Sequence, residues 1–541
     1  MQNKISYNKL TDEQKEFVAI TYANETLNHE AKISIISSKF NVAGRTVRRW
    51  WQKMGLTRPL SKLTPQLQKA SKKEINKKTD ILLVTSAINT TSINYNQLLF
   101  MKKLVKKIKK DHDKNAEIVI IPTRYRNPTS PTEYISNHKK QREWWVEEIE
   151  DYLLYNKSFF GDVIIGGDIP VQATSQNPLN GMNGFAGYKS LILGSPRIHY
   201  KTLPRMLKDP LRVMCTSGTI SVKNYSRSVA GGKADFNHSN GFVIIEKNKD
   251  NTCLPPRNVF VEENGNFSDI AYSCVNGKIE KTKKALNLTL GDTHRWVLDM
   301  KLHLETKKLF KDYIFNDIIV HDLLDGYTFN PHERKDPFIS RYKIINGHYK
   351  IKEEVEQALK YPSDLLNDFN VKNINVIESN HDIFLDRHIN DMNWKNDLHN
   401  SDAYLEYALI QQTVNLKEYG NIFGYLMYKK YENQSNVKYI KCGDSLVFKG
   451  VKFDQHGENG VNGSRGSVQG FKKLNIKTTT AHTHSPSIND GNFCVGKSSV
   501  REEYYIRKGL TTQAQGHALQ FESGKRQLIV FNNDYEVTNL I

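Results

Sequence analysis

Two spacings of apolar residues alternate along this chain of 541 residues and predict a multidomain α/β protein. Short apolar runs at residues 81–84 and 118–121 are typical of buried strands. Between them, residues 98–110 place an apolar side chain every three or four positions, which predicts an amphipathic helix. The order strand, helix, strand predicts a β-α-β unit, and a chain of this length is expected to form several domains.

The first 58 residues predict three short helices, the last of which has a basic face. We expect the helices at residues 12–24, 33–40 and 45–54, with a turn before the third in which Gly44 can take a left-handed backbone. The outer face of the third helix carries Arg45, Arg48, Arg49 and Lys53. The pattern resembles the helix-turn-helix modules of transposases and phage proteins, which place a helix in the major groove of DNA. We therefore expect these four side chains to bind DNA; the alternative is a three-helix module for protein contacts.

The middle of the chain gives weaker functional signals. Residues 59–79 contain prolines and lysines but no apolar face, which predicts a basic linker. Residues 80–285 predict an α/β domain of unknown role, and the lysine-rich face of the helix over 98–110 is either a solvated surface or a track for DNA. Gly166-Gly-Asp168 is interpreted as a turn, and Asn237-His-Ser239 as a polar loop.

Five polar stretches follow predicted strands between residues 286 and 486. They are Asp292-Thr-His294, Asp322, Asn380-His381-Asp382, His456 and His482-Thr-His484. Carboxylate, amide and imidazole groups bind divalent ions, and alternate residues of a D-x-H or H-x-H unit lie on one side of an extended backbone. Asp292 and His294 are therefore expected to bind one ion together. We expect Asp322 to bridge that ion to a second, which Asn380 and His456 complete.

This arrangement predicts hydrolysis of a phosphoester. Two ions about 3.5–4 Å apart can hold a phosphate, and a water that bridges them loses a proton and becomes the nucleophile. His381 directly follows an expected ligand and is expected to donate a proton to the leaving alkoxide. Asp382 is expected to orient the imidazole of His381.

The ordered set resembles the calcineurin-like metallophosphoesterases, whose pattern runs D-x-H, G-D-x-x-D, G-N-H-[DE], a lone histidine and G-H-x-H. Here the stretches read Gly291-Asp-Thr-His294, His321-Asp-Leu-Leu-Asp325-Gly, Ser379-Asn-His-Asp382, Gln455-His456-Gly and Ala481-His-Thr-His484. The resemblance spans about residues 285–500, and it implies that the domain at 286–541 is a two-sheet sandwich flanked by helices.

The resemblance also implies a ligand set for each ion. One ion would be held by Asp292, His294, Asp322 and His484, and the other by Asp322, Asn380, His456 and His482. The family's glycines are replaced by His321, Ser379, Gln455 and Ala481. The expected ligands are thus all present. The backbone packing at the strand ends is expected to differ from that of the family, because larger residues stand in place of the glycines.

The order of the parts resembles that of the pre-early DNA-transfer proteins of tailed phages, which are associated with genome entry and host DNA degradation. A metal-dependent DNA nuclease is therefore the leading hypothesis. Two alternatives remain: a phosphatase for proteins or small molecules, and a DNA-binding structural or regulatory protein with a slow metal site. Manganese is the favoured ion, and magnesium, iron and zinc are alternatives.

The charge and cysteine content of the chain indicate which partners and which compartment to expect. The formal net charge of +19, from 77 basic and 58 acidic residues, favours a polyanion such as DNA. The five cysteines are scattered without a C-x-x-C pair, which argues against a zinc knuckle and suits a reducing cytoplasm. We expect no signal peptide, no membrane span and a cytoplasmic location, and a homo-oligomer is possible.

Overall fold

The computed structural model describes residues 7–24, 29–54, 73–125, 145–330, 333, 336–501 and 509–541. The chain divides into two compact units, Met1–Ser71 and Lys72–Ile541. Their helices and mixed sheets confirm the predicted multidomain α/β class. Residues 59–72 of the predicted linker lie outside the described residues, and Lys73 pairs with Glu117 at 2.9 Å.

The first unit contains the three predicted helices, α1 (Asp12–Ala23), α2 (His29–Phe40) and α3 (Gly44–Lys53). Thr11 and Gln14 form a reciprocal capping box that begins α1. The residue with left-handed backbone in the turn before α3 is Asn41, with a φ of 47°, and not Gly44 as expected. Gly44 is instead the first residue of α3. A Cβ at Gly44 would lie 2.9 Å from Ile33 Cγ2, so the glycine permits close packing of α3 on α2.

The second unit contains the strands and the remaining helices. The strands are β1 (Ile81–Ile88), β2 (Ala116–Thr123), β3 (Lys157–Phe160), β4 (Val163–Gly166), β5 (Ser190–Leu193), β6 (His199–Thr202), β7 (Val213–Thr216), β8 (Gly241–Glu246), β9 (Arg257–Phe260), β10 (Phe267–Ser268), β11 (Tyr272–Val275), β12 (Lys278–Lys281), β13 (Lys284–Thr289), β14 (Ile314–Val320), β15 (Val371–Ile377), β16 (Val437–Ile440), β17 (Val447–Phe448), β18 (Val451–Lys452), β19 (Lys477–Thr480), β20 (Ser487–Asn489), β21 (Asn492–Cys494), β22 (Gly516–Gln520) and β23 (Arg526–Val530). The helices are α4 (Tyr95–His112), α5 (Glu147–Glu150), α6 (Asn183–Ala186), α7 (Val229–Phe236), α8 (Met300–Leu309), α9 (Pro337–Ile345), α10 (Ile351–Asp368), α11 (Asp382–Asn390), α12 (Ser401–Thr413), α13 (Ile422–Tyr431) and α14 (Val468–Phe471).

These strands form four sheets among the described residues. The first has the order β2-β1-β8-β9, and its parallel β1 and β2, joined by α4, confirm the predicted β-α-β unit. A second, antiparallel sheet has the order β10-β11-β12. The third has the order β16-β15-β14-β13-β22-β23, and the fourth has the order β17-β18-β19-β21-β20-β6-β7-β5-β4-β3. Strands from both sides of the predicted boundary at 285/286 therefore share the ten-stranded sheet.

The six-stranded sheet is covered by helices on one face and by the ten-stranded sheet on part of the other. On the helical face, Ile318 of β14 belongs to one core with Leu302 of α8 and Val355 of α10. On the opposite face, Ile319 packs with Phe453, which follows β18. This packing brings the ends of strands from two sheets to one place. No helix in the described parts of the chain is long and apolar enough to cross a membrane.

Candidate metal centre

Polar side chains from both sheets meet where their strands end. Asp292, Asp322 and Asn380 follow β13, β14 and β15 of the six-stranded sheet, whose parallel direction brings their carboxyl ends to one edge. His456 follows β18, and His482 and His484 follow β19 of the ten-stranded sheet. The five polar stretches that the sequence singled out thus come together between the ends of strands from two sheets.

A first group of possible ligands consists of Asp292, His294, Asp322 and His484, whose ligand atoms all lie within 4.8 Å of one another. His484 Nε2 lies 3.2 Å from Asp292 Oδ2 and 3.2 Å from His294 Nε2. His294 Nε2 lies 3.6 Å from Asp322 Oδ2. Two carboxylates and two imidazoles at such distances form a donor set that suits a divalent ion.

A second group consists of Asp322, His456 and His482. His456 Nε2 lies 3.2 Å from Asp322 Oδ2, and the rings of His456 and His482 are 5.2 Å apart. Asp322 belongs to both groups, which is the position of a bridging ligand. The amide oxygen of Asn380 is buried without a hydrogen bond, as would suit an oxygen ligand.

Unsatisfied buried atoms test whether these residues fit metal ions. Both carboxylate oxygens of Asp292, Oδ1 of Asp322 and both ring nitrogens of His456 are buried without hydrogen-bond geometry to a partner. Leaving such a group unsatisfied costs about 1–3 kcal/mol, and more for a charged one. Bound cations would remove that cost, so the donor set fits divalent ions.

The electrostatics of the centre also favour positive charge. Burial opposes ionisation of Asp322, but the neighbouring imidazoles, His456 first, hold its pKa well below the usual value. Burial likewise opposes charge on His294, yet a hydrogen bond with Asp325 and the nearby carboxylates raise its pKa to about 10. The pKa of His456 is raised to about 9, because Asp322 and Asp292 outweigh its burial. The carboxylates therefore create a site that attracts cations.

The backbone at the ligand positions differs from the extended form that the sequence suggested. His294, Asp322, His482 and His484 have φ angles of 42°, 46°, 70° and 56°, in the left-handed region. Side-chain alternation along a strand therefore does not explain how these groups meet. Such backbone costs about 1–3 kcal/mol per residue and persists where the surrounding structure enforces it. Left-handed backbone occurs at four of the expected ligand positions. This indicates that the surrounding fold holds these side chains in place despite the local backbone strain.

His381 is held by a different partner from the one that the sequence suggested. Its Nδ1 donates to the carbonyl oxygen of Asp325 at 2.6 Å, and its ring lies 4.8 Å from that of His294. The carboxylate of Asp382 instead accepts hydrogen bonds from Ser379 N–H at 3.0 Å and Tyr439 O–H at 2.9 Å. The contacts thus assign the orientation of His381 to Asp325 and leave Asp382 to anchor the start of α11.

Asp325 is the site residue that sequence reasoning missed. Its Oδ1 lies 2.9 Å from His294 Nδ1 and 4.0 Å from His381 Nδ1, so one carboxylate touches an expected ligand and lies near the expected proton donor. The spacing Asp322-x-x-Asp325 was visible in the sequence and could have identified it. Carboxylates that fix a ligand's imidazole in this way set which ring nitrogen faces the metal.

Two residues that stand where the resembled pattern has glycine have identifiable surroundings. Ser379 Oγ accepts a hydrogen bond from Asp382 N–H at 3.4 Å, so the serine helps to begin α11. His321 is fully buried and has no hydrogen-bond partner at either ring nitrogen. Its ring lies 5.7 Å from that of His456, and burial lowers the pKa of His321 to about 3, so the imidazole is neutral.

The expected DNA contacts lie in the first unit. Arg45, Arg48, Arg49 and Lys53 are all exposed on α3. Elsewhere, Asp168 is exposed on a turn after β4, in agreement with its interpretation as a turn residue. His238 contacts the Tyr225 hydroxyl at 2.8 Å and the Ser221 carbonyl at 3.0 Å, so its loop makes local polar contacts.

The fold and the site together define a mixed α/β protein with clusters of histidine and aspartate that could hold metal ions. Over 381 residues the chain is 29% identical to Protein A1 of Escherichia phage T5, and the alignment covers 68% of each chain. This protein is therefore similar to a phage protein. No protein-family model matches the chain. No solved structure matches it either.

Proposed function

We propose that this protein is a metal-dependent DNA nuclease of the calcineurin-like metallophosphoesterase type. The observation that carries the proposal is the pair of ligand groups that share Asp322. A shared carboxylate with ligands on either side is the arrangement of two-metal hydrolases, which cleave phosphoesters. We propose two divalent ions, with manganese favoured.

Each group in the centre has a role in this proposal. Asp292, His294, Asp322 and His484 would hold one ion, and Asp322, Asn380, His456 and His482 the other. Bound there, divalent ions supply Lewis-acid polarisation of the phosphate and activation of water.

His381 is proposed as the proton donor. Burial lowers its pKa, so the free imidazole is neutral, and its Nδ1 proton is donated to the carbonyl of Asp325. A phosphate bound nearby brings negative charge and raises that pKa. His381 then takes up a proton at Nε2 and gives it to the leaving oxygen of the cleaved strand.

DNA is proposed as the substrate because of charge and the first unit. The net charge of +19 attracts a polyanion, and α3 presents an exposed basic face in a three-helix unit. We propose that the three helices are a helix-turn-helix module. The similarity to a phage protein supports a role in phage infection, in DNA transfer or in degradation of the host genome.

Plasmid cleavage tests the proposal. Metal-stripped protein is incubated with supercoiled plasmid and Mn²⁺ or Mg²⁺, and a phosphomonoester is assayed in parallel. Metal-dependent nicking or linearisation, retained by an Asp168→Ala control, is the expected result, because Asp168 is an exposed carboxylate outside the centre. Phosphomonoester turnover without plasmid cleavage would replace the nuclease with a phosphatase. DNA binding with neither activity would indicate a structural or regulatory protein.

A further inference from the structure

A basic surface on the second unit is formed by lysines from two distant stretches of the chain. Helix α4 and the residues after it supply seven, and β12 supplies another. The lysine surface is defined as Lys102, Lys103, Lys106, Lys107, Lys109, Lys110, Lys114 and Lys281. It lies outside the metal centre, and the proposed function does not use it.

The fold brings Lys281 to the helix by laying the β11–β12 hairpin along α4. At one end, Lys103 Nζ donates to the carbonyl of Gly277, in the hairpin turn, at 2.9 Å. At the other end, His112 Nε2 lies 2.9 Å from the hydroxyl of Tyr272, which pairs with Lys281 across the hairpin. Burial first, and then the charges of Lys281 and Lys114, lower the pKa of His112. The hairpin therefore extends the positive charge of the helix.

Few carboxylates neutralise the lysine surface. Lys107 pairs with Asp111 at 3.2 Å, and Lys109 pairs with Asp113 at 2.7 Å. The other lysines of the surface form no ion pair with a carboxylate among the described residues. Among the described residues, the lysines of this surface thus outnumber the carboxylates that pair with them.

The stability of the helix does not account for this charge. Lys109 and Lys110 lie in the last turn of α4, where cations interact favourably with the helix dipole. Lys102 and Lys106 lie further back, at a spacing of four, where like charges destabilise a helix by about 0.2–0.5 kcal/mol per pair. A bound polyanion would turn this repulsion into attraction.

We propose that the lysine surface binds the phosphate backbone of duplex DNA and so holds the polymer. This inference rests on the proposed function for its choice of DNA. The lysines of α4 run from Lys102 to Lys110, over about 12 Å of helix axis, which matches about three to four base pairs at 3.4 Å each. Lysines act as point charges for phosphates, so the surface contributes affinity without sequence preference.

A matched pair of quadruple variants tests the proposal. The first, Lys106→Gln/Lys110→Gln/Lys114→Gln/Lys281→Gln, removes four lysines of the surface that form no ion pair with a described carboxylate. The control, Lys208→Gln/Lys249→Gln/Lys372→Gln/Lys430→Gln, removes four exposed lysines from elsewhere and leaves the same net charge. Binding of a fluorescent 30-base-pair duplex is followed by anisotropy in EDTA, which prevents cleavage, at 50 to 200 mM KCl. Circular dichroism and the melting temperature check that both variants are folded.

The surface variant is expected to lose about 10- to 100-fold in affinity at 100 mM KCl. The plot of log K against log salt should become less steep, with the magnitude of its slope smaller by up to about 3.6, at 0.9 per phosphate contact. The control should change affinity less than about threefold. Repeating the comparison in an Arg48→Ala/Arg49→Ala background removes the expected contribution of α3 and should enlarge the difference.

Two results would overturn the proposal. The first is an equal loss of affinity in both quadruple variants, since net charge alone would then explain binding. The second is unchanged DNA binding by the surface variant; if its binding to vesicles that contain about 30% phosphatidylserine is lost as well, the surface is assigned to an anionic membrane. Because binding is measured in EDTA, a failed plasmid assay with lysine-dependent binding contradicts only the nuclease. Plasmid cleavage with unaffected binding contradicts only the lysine surface.

Discussion

Two groups of buried charged side chains in this protein differ in how their polar atoms are satisfied. In one, Arg257 Nη1 donates to Glu246 Oε1 at 2.6 Å, and Arg257 Nε donates to Asp269 Oδ1 at 3.0 Å. In the other, the carboxylates of Asp292 and Asp322 converge on histidines while several of their oxygens lack hydrogen bonds. The carboxylates of both groups are almost wholly buried. The difference is therefore one of partners rather than of exposure.

The rest of the Arg257 group extends the contrast. Glu246 also accepts a hydrogen bond from the backbone of Asn539, and Asp269 accepts one from that of Ala271 and another from the side chain of Gln527. This group connects β8, β9 and the C-terminal residues and needs no external ion. The comparison indicates that a buried ionic group built for stability satisfies itself, whereas a metal centre leaves its donors for the cation.

The largest expected effect is the loss of activity on removing the shared ligand. Asp322→Ala takes one carboxylate from both ligand groups, so plasmid cleavage should fall by at least about 10³-fold. The measurement is the initial rate of plasmid nicking at saturating Mn²⁺, with Asp168→Ala as the control. Cleavage at the wild-type rate would mean that the group containing Asp292 and Asp322 does not catalyse the reaction.

His381→Ala sharpens the comparison, because His381 lies in the centre but is not an expected ligand. The variant should lose about 10²–10⁴-fold in cleavage rate and still bind metal, as a general acid would. A leaving group of low pKa should restore much of the rate, since it needs no proton. Loss of metal together with activity would reassign His381 to the ligands.

Arg257→Ala tests whether the ionic group of Arg257, Glu246 and Asp269 stabilises the fold. It leaves Glu246 and Asp269 buried without their cation, so the free energy of unfolding should fall by about 3–5 kcal/mol. Urea denaturation measures the loss, and Lys208→Ala, an exposed lysine, should change it by no more than about 0.5 kcal/mol. Cleavage per folded molecule should stay at the wild-type level. An unchanged free energy of unfolding in Arg257→Ala would show that this ionic group does not stabilise the fold.

The smallest expected effect is stabilisation by the metal itself. Mn²⁺ at a hundred times its Kd should stabilise the wild-type protein by about 2.7 kcal/mol per bound ion relative to EDTA. The Arg257→Ala protein should show a similar gain in differential scanning fluorimetry, and Asp322→Ala should show a clearly smaller one. An equal gain in all three proteins would indicate that Mn²⁺ binds outside the proposed centre.

Much of the local structure follows from patterns in the sequence. The apolar runs at 81–84 and 118–121 lie inside β1 and β2, and the helix predicted over 98–110 lies inside α4. The possible metal ligands were visible because each follows a strand and carries a side chain of the required type. Local spacing is sufficient for such features, because they depend on residues close together in the chain.

Other features depend on contacts that local patterns do not encode. The pairing of β20 with β6 places Ile488 opposite Tyr200, and no short-range signal links these segments. The contacts of His381 are a second such feature. Asp382 is next to His381 in sequence, but its Oδ2 accepts hydrogen bonds from Tyr439 and Ser379, while the backbone carbonyl of Asp325, at another strand end, accepts one from His381. Sequence adjacency was a poor guide to spatial contact here.

Metal stoichiometry tests the central claim most directly. Wild-type protein and the Asp322→Ala and Asp168→Ala variants are dialysed to equilibrium against Mn²⁺, and bound metal is measured by inductively coupled plasma mass spectrometry. The structure leads us to expect two ions per chain in the wild type and in Asp168→Ala, and fewer in Asp322→Ala, which loses the shared ligand. Equal metal content in the wild type and Asp322→Ala would contradict the assignment of these strand ends as a metal centre.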